Sequence, residues 1–517
     1  MKILFIIFGL CFLFLPLSAQ SIQQIYFDRF THYTIDDWIT YAPATDITAV
    51  EIGDDYVYFG TRSGGILRYQ LFDDYWDFPF TTSSGLRSNT ILALSYDPAQ
   101  RRLYARTPRG VDVYNFAFEY WMPADNPMPA PRQPDPVQLQ SFLKNPKGVS
   151  FPPYYRPSLR ELPDFFTNRS YLFRQPDEIL DPYNRIFHLK NMAVVDNFNR
   201  VWIATDGLGP AWASLVDNTL HLGQHSISNI FPRAIYLDDQ ATWIGGISTG
   251  FIPSGICRWD NNSEDWQYYE AGLIMTLSDH NVHAIVGTKR YVFFGTELGL
   301  VRYDKKEDDW TSFTRAQRLL SNNIHDLKIV GDRLFIATDR GLNWLDIGYR
   351  NIQRPKSGKL NSVPVFKIAV GDSALFLATA YGIYQFSLKS ERLSFFKTHS
   401  AVMDVNIGAI GVYQDSLWFA GDDGVAFFDP TKKQWHSFPQ VKMHFNDLSF
   451  TPGSVWFATD RGLLRCDVKQ NYWYLYTKRD GLASNRVYRI LIDGPDMWLA
   501  TDGGVTLFAW HRDDRFE

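Results

Sequence analysis

Cysteine is almost missing from this chain: three residues in 517, one of them in the N-terminal apolar run. Only Cys257 and Cys466 lie beyond that run, which excludes a disulfide-built scaffold. Aligning "GICRWD" with "GLLRCD" sets the two thiols on opposite faces of equivalent strands, so both read as small apolar fillers. A basic excess is missing too. The formal net charge is −5, which leaves nothing to neutralise phosphates, and no nucleic-acid partner is expected. Past the N-terminus no run of about 18 apolar residues occurs, so no integral membrane segment is expected after signal cleavage. The Walker loop, H-E-x-x-H, Cys-x-x-Cys and the Ser-x-Asp-x-Gly-x-x-Trp turn are all absent. The pairs His221/His225 and His280/His283 fall in strand or loop context, where that spacing does not converge on an ion, so no metal and no cofactor is assigned.

What is abundant is aromatic: 16% Phe, Trp and Tyr, a composition that suits pleated strands. Residues 1–19 read as a secretory signal: Lys2, an apolar run from Ile3 to Leu15, then Leu17-Ser18-Ala19 before Gln20. The protein is therefore expected to be exported, periplasmic or extracellular. Cys11 is a poor lipidation site, because Leu10 precedes it where a small residue would be needed.

"ATDRG" occurs at 337–341 and at 458–462, with relatives throughout the chain. Its Thr position falls at Thr61, Thr107, Thr205, Gly246, Thr296, Thr338, Thr379, Gly421, Thr459 and Thr501. Successive gaps are 46, 98, 41, 50, 42, 41, 42, 38 and 42, a period typical of propeller blades. Each unit shows the same order: an alternating segment such as "IHDLKIV", a tight turn, a strand such as "RLFIAT", the "DRG" turn, a third strand, and an aromatic fourth strand such as "DDWTSF". Four short antiparallel strands make one blade. An Asp repeated in most units is a turn residue and not a catalytic carboxylate, which would need one special environment.

The pattern running through "GLASNRVYRILIDGPDMWLATDGGV" at 481–505 is similar to the two-component regulator propeller repeat. The resemblance covers roughly 45–122 and 187–510. It implies an all-β chain, a β-propeller of about ten four-stranded blades. Such repeats often form the exported sensor part of hybrid histidine kinases. No kinase or DNA-binding segment follows here, so the resemblance implies a free-standing exported propeller spanning 20–517.

The last unit lacks a fourth strand, while "DDWITYA" at 36–42 is an orphan with that grammar. Trp38 is thus expected to close the ring structurally. One ten-bladed ring is the favoured arrangement and two smaller propellers the alternative.

The repeat breaks in three places. Residues 123–186 hold 13 of the 27 prolines, interleaved with aromatics, and read as an ordered cap between units two and three. Unit three has "DGLGPAWAS" at 206–214, and unit four has "GGISTGFIPSG" at 245–255. All three fall on one face. The candidate ligand-binding residues are Tyr154 and Tyr155 on the insertion, Asp206 and Trp212 in a lengthened turn of unit three, and Phe251 in unit four; none is read as catalytic. The function expected is a non-catalytic module that binds a glycan, a peptide or a partner protein, as a sensory or secretion accessory. The alternative is a carbohydrate lyase or hydrolase with dispersed residues.

Overall fold

The turn motif explains itself in atomic terms. In eight units the Thr hydroxyl donates to the glycine carbonyl across the turn, as from Thr338 to Gly341 (2.9 Å) and from Thr459 to Gly462 (2.7 Å). These threonines are buried, so the bond satisfies a polar atom that would otherwise be costly. Gly341 and Gly462 sit at φ 129° and 149°, which only glycine adopts readily. The Asn of "GL.SN" acts on the connection between units. Asn89, Asn322 and Asn485 accept from the backbone N–H of Thr82, Arg315 and Lys478, closing the loop after each aromatic strand.

The computed structural model describes residues 33–145, 150–167, 171–174, 177–249, 254–271, 273–274, 276–277, 281–349, 351–355, 362–396 and 406–511. Residues 1–19, read from the sequence as a secretory signal, lie outside them. The described residues form ten sheets, antiparallel except where Phe166–Thr167 pairs parallel with Thr219–Leu222, and the fold is a multi-blade β-propeller.

Seven sheets, over 230–270, 282–313, 324–353, 365–395, 407–438, 445–476 and 487–509, pack in succession, and each neighbouring pair shares one apolar core. A seventh core returns the last blade to the first: Ile230, Ile244 and Cys257 pack with Trp498, Ala500 and Val505. The strand Trp38–Tyr41 supplies the outer strand of that last blade, with Trp38 opposite Phe508. The ring therefore has seven blades, which corrects the expected single ring of ten.

The other three sheets form a separate lobe, and the chain enters and leaves it between two ring strands. Ring strand Trp38–Tyr41 precedes it, and ring strand Ile230–Leu237 follows it. The whole segment 42–229 is thus an insertion into the ring. Its two linkers are tied together, Ser226 Oγ to the Ala42 carbonyl (2.8 Å) and Asn229 Nδ2 to Thr45 Oγ1 (3.1 Å).

Within the lobe, the first unit packs against the second through one core and against the third through another. The second and third units do not share a core. The 123–186 segment spans that gap. Ser95 Oγ reaches the Ala130 carbonyl (2.9 Å), Arg132 reaches the Gly53 carbonyl (3.0 Å), and Arg156 pairs with buried Glu51 (2.9 Å). Tyr154 N–H bonds the Val195 carbonyl (2.7 Å) on the third unit. The segment also adds strands Leu172–Arg174, Glu178–Leu180 and Phe166–Thr167 to the third unit, making a seven-stranded sheet where four were expected. It carries one helix, Pro136–Lys144, N-capped by the Asp135 carboxylate. Missing blades leave sheet faces and edges bare; the insertion covers them.

One feature repeats in all seven inner strands of the ring. Each pairing skips one residue between its first two partners, leaving Arg233, His283, His325, Phe366, Gly408, Asn446 and Tyr488 unpaired. Such bulges re-aim a side chain, and all seven residues line the same channel mouth.

Both thiols are free and buried, and burial pushes them up, to about 11 for Cys257 and about 12 for Cys466.

Candidate functional site at the root of the lobe

The three breaks in the repeat meet at one cleft of about 290 Å³. Gly207, Leu208 and Gly209 come from the lengthened turn of unit three, Asp181 to Arg185 from the end of the insertion, and Ser254 from the strand after the unit-four turn. The linkers contribute Thr45 and Asn229, and the outer strand Trp266–Glu270 of the ring contributes Tyr268 and Glu270. The cleft thus lies on the seam between ring and lobe.

Its wall is set by a local turn. In "DPYNR" at 181–185, Asp181 Oδ1 accepts the N–H groups of Tyr183 (2.9 Å) and Arg185 (2.8 Å), and Asn184 takes φ 62°. That turn fixes Arg185, whose Nε donates to Asp181 Oδ2 (2.6 Å) and whose two terminal nitrogens reach Glu270 (2.6 and 3.1 Å). The Glu270 hydrogen bonds, with those of Asp181, hold the guanidinium charge further up than usual despite burial. A bidentate pair of this kind spans the seam and ties the lobe to the ring. The same turn recurs as "DNFNR" at 196–200, where Arg200 bonds Asp196 and Asp74.

The rest of the lining is amide and ring. Gln224 Oε1 accepts the Tyr268 N–H (3.1 Å), and its –NH2 group has no partner among the described residues. The Tyr268 hydroxyl donates to the His225 and Ser226 carbonyls (3.2 and 3.0 Å), fixing the return linker. Tyr183 is 54% exposed, a flat ring at the opening. Across the linker the His225 ring lies 3.9 Å from that of Trp76.

The residues singled out from sequence are arranged differently. Tyr154 is an anchor: Arg132 lies over its ring (3.9 Å) and its hydroxyl accepts from Asn197 (3.0 Å). Tyr155 packs on Phe142 and Phe151, and its hydroxyl donates to Glu161 (2.9 Å). Trp212 is not in a turn. Gly207 and Gly209, at φ 91° and 79°, absorb the extra residues, so the strand Ala211–Ser214 resumes and pairs Trp212 with Trp202 and His221. The His221 ring stacks on Trp212 at 3.9 Å and 13°. Asp206 is exposed at the end of the strand Arg200–Asp206, one residue from the cleft wall. Phe251 lies outside the described residues. What sequence reasoning missed is Arg185, Glu270 and Gln224. The duplicated D-x-x-N-R turn was the available signal.

Among the described residues no group of three or more His, Cys, Asp or Glu could hold a metal ion, and no helix is long and apolar enough to cross a membrane.

No family model matches the sequence, and no curated protein matches it. Among solved structures the chain is similar to the extracellular domain of the hybrid two component system BT4673 from B. thetaiotaomicron, at 14% identity over 91% of this chain and 71% of that one, TM-score 0.46. It is similar to the extracellular domain of the hybrid two component system BT3049 of the same organism, at 14% identity over 90% and 68%, TM-score 0.45. It is also similar to YCF48 bound to D1 peptide, at 16% identity over 55% and 93%, TM-score 0.45. These likenesses are of architecture and bring no ligand to this chain.

Proposed function

We propose that this chain is an exported, non-catalytic propeller that binds a glycan or peptide segment in the cleft at the root of its inserted lobe. The observation that carries the reading is convergence. Three departures, separated in sequence by up to about a hundred residues, border one concave site. The lining suits a neutral, hydrogen-bonding ligand with a flat face. Tyr183 offers a ring to stack on, and Gln224 and Asn229 offer amides. The volume fits one sugar ring or one to two side chains of an extended peptide. The two carboxylates here are already committed to Arg185, which leaves neither poised to take a proton. Asp206 extends the same surface beyond the cleft wall.

The test is an array of bacterial and host polysaccharides and peptides, read with the full chain and with Tyr183→Ala and Gln224→Ala. The reading expects a hit that both variants weaken about tenfold, the loss of one good contact, with no new reducing ends or cleaved peptide. Product formation would contradict the non-catalytic reading. Hits indifferent to both substitutions would move the site elsewhere.

A further inference from the structure

The mouth of the seven-bladed ring is a second concave site, about 470 Å³, that shares no lining residue with the seam cleft. Gly408 opens one side of it: a Cβ there would meet the Phe445 carbonyl oxygen at 1.8 Å, so no larger residue fits. Phe366 and His325 form one wall, their rings 5.3 Å apart. Arg233 forms another, its guanidinium 3.2 Å from the Tyr488 ring centre and its Nη1 buried without a hydrogen-bond partner.

Charged groups in this channel are unevenly paired. Below the mouth, Arg489 lies 3.7 Å from Asp326 and 3.5 Å from Asp447. Each carboxylate also accepts a backbone N–H from the next blade, Ile368 (2.9 Å) for Asp326 and Ile490 (3.1 Å) for Asp447. Lys367 faces both carboxylates, and Lys328 faces Asp326. Three cations, Arg489, Lys328 and Lys367, therefore crowd the two carboxylates, while Arg233 faces Asp502 and Arg486 instead. Among the described residues Lys367 has no ion-pair partner within 4.0 Å, and neither has Arg233, whose charge is felt by Asp502 and opposed by Arg486. The rim carboxylates are engaged: Glu297 with His283 (3.2 Å), Asp339 with His325 (2.6 Å) and Asp422 with His444 (3.2 Å). Burial disfavours the charged forms of both Arg233 and Lys367, a cost that a bound anion offsets.

We propose that the channel mouth is a binding site for a small organic carboxylate, with its charge between Lys367 and Arg233 and its apolar body on Phe366. Two cations with no carboxylate within 4.0 Å among the described residues, lining one opening beside the Phe366 ring, define that chemistry. This site is independent of the seam cleft, and either can fail alone.

The experiment is a saturation-transfer NMR titration of the full chain with benzoate, benzamide and acetate. Benzoate is expected to bind at least tenfold more tightly than benzamide, which lacks the charge, and than acetate, which lacks the ring. Lys367→Met and Arg233→Met should each weaken benzoate at least tenfold while leaving the melting temperature within a few degrees. Equal binding of benzoate and benzamide would overturn the proposal, as would no benzoate binding, or benzoate binding unchanged in both variants. Equal binding of acetate would overturn the role of Phe366. If either variant fails to fold, the three-ligand comparison on the unaltered chain decides.

Discussion

Trp38→Ala should unlatch the ring. Trp38 is 2% exposed, its ring stacked on Phe508 at 3.7 Å and 5°, with Tyr476 tilted beside it at 6.0 Å. A buried indole removes roughly 200 Å² from water, worth about 5 kcal/mol at about 25 cal/mol per Å². Large-to-small core changes of this kind cost about 3–5 kcal/mol, so about 4 kcal/mol is expected. The strand Trp38–Tyr41 is only four residues long, and Thr40 and Tyr41 supply its remaining burial. A loss of that size should free it and expose the edge of Gly504–Ala509. The assay is urea unfolding followed by tryptophan fluorescence, with light scattering for association. Trp38→Phe keeps a ring on Phe508 and should cost about a third as much, since the indole N–H has no hydrogen-bond partner to lose. A Trp38→Ala chain that stays monomeric and loses less than about 1 kcal/mol would refute the closure argument.

Gly481→Ala should destabilise the same latch, by roughly 1–3 kcal/mol, because its Cβ would meet Trp38 Cγ at 2.3 Å and its φ is 125°; thermal unfolding checks this. Joining Ala44 to Asn229 through two glycines, with 45–228 removed, should leave a folded monomeric ring, since Thr45 and Asn229 already touch; an aggregated product would contradict the insertion topology. Glu51 sets a pH dependence. Burial pushes its carboxyl up to about 7, against the pull of Arg156 and the Ile52 N–H. A carboxyl raised in the folded state stabilises below its unfolded pKa of 4.5, and that stability is lost as pH rises through about 7. The stability of the unaltered chain relative to Glu51→Gln should thus fall between pH 5 and pH 8, by up to about 3 kcal/mol; parallel profiles would contradict it.

The blades were legible in the sequence because each is specified locally. Thr459 bonds Gly462 within one turn, and Asn485 bonds Lys478 within one loop. Ring membership is not local. Nothing near Ile47 states whether its blade abuts the last one, and the answer lies in which faces fit, Ile230 and Ile244 on Trp498. The orphan strand at Trp38 was readable as a latch, but not the fact that a whole lobe follows it before the ring resumes. Trp212 misled because a sequence shows two glycines and a proline as one longer turn, while positive φ at Gly207 and Gly209 lets the strand resume at once. The three interruptions contribute residues to one cleft. The cleft residues escaped because Arg185 and Glu270 are 85 positions apart and meet only across the seam.

The central claim is that the interruptions of the repeat build one ligand cleft at the seam. The measurement that tests it most directly is hydrogen exchange of the full chain with and without the array-selected glycan or peptide. The account predicts protection at 181–187, 207–209, 223–229 and 268–273, with the ring turns at 339–341 and 460–462 unchanged. Protection confined to those ring turns, or to the outer aromatic strands, would contradict it.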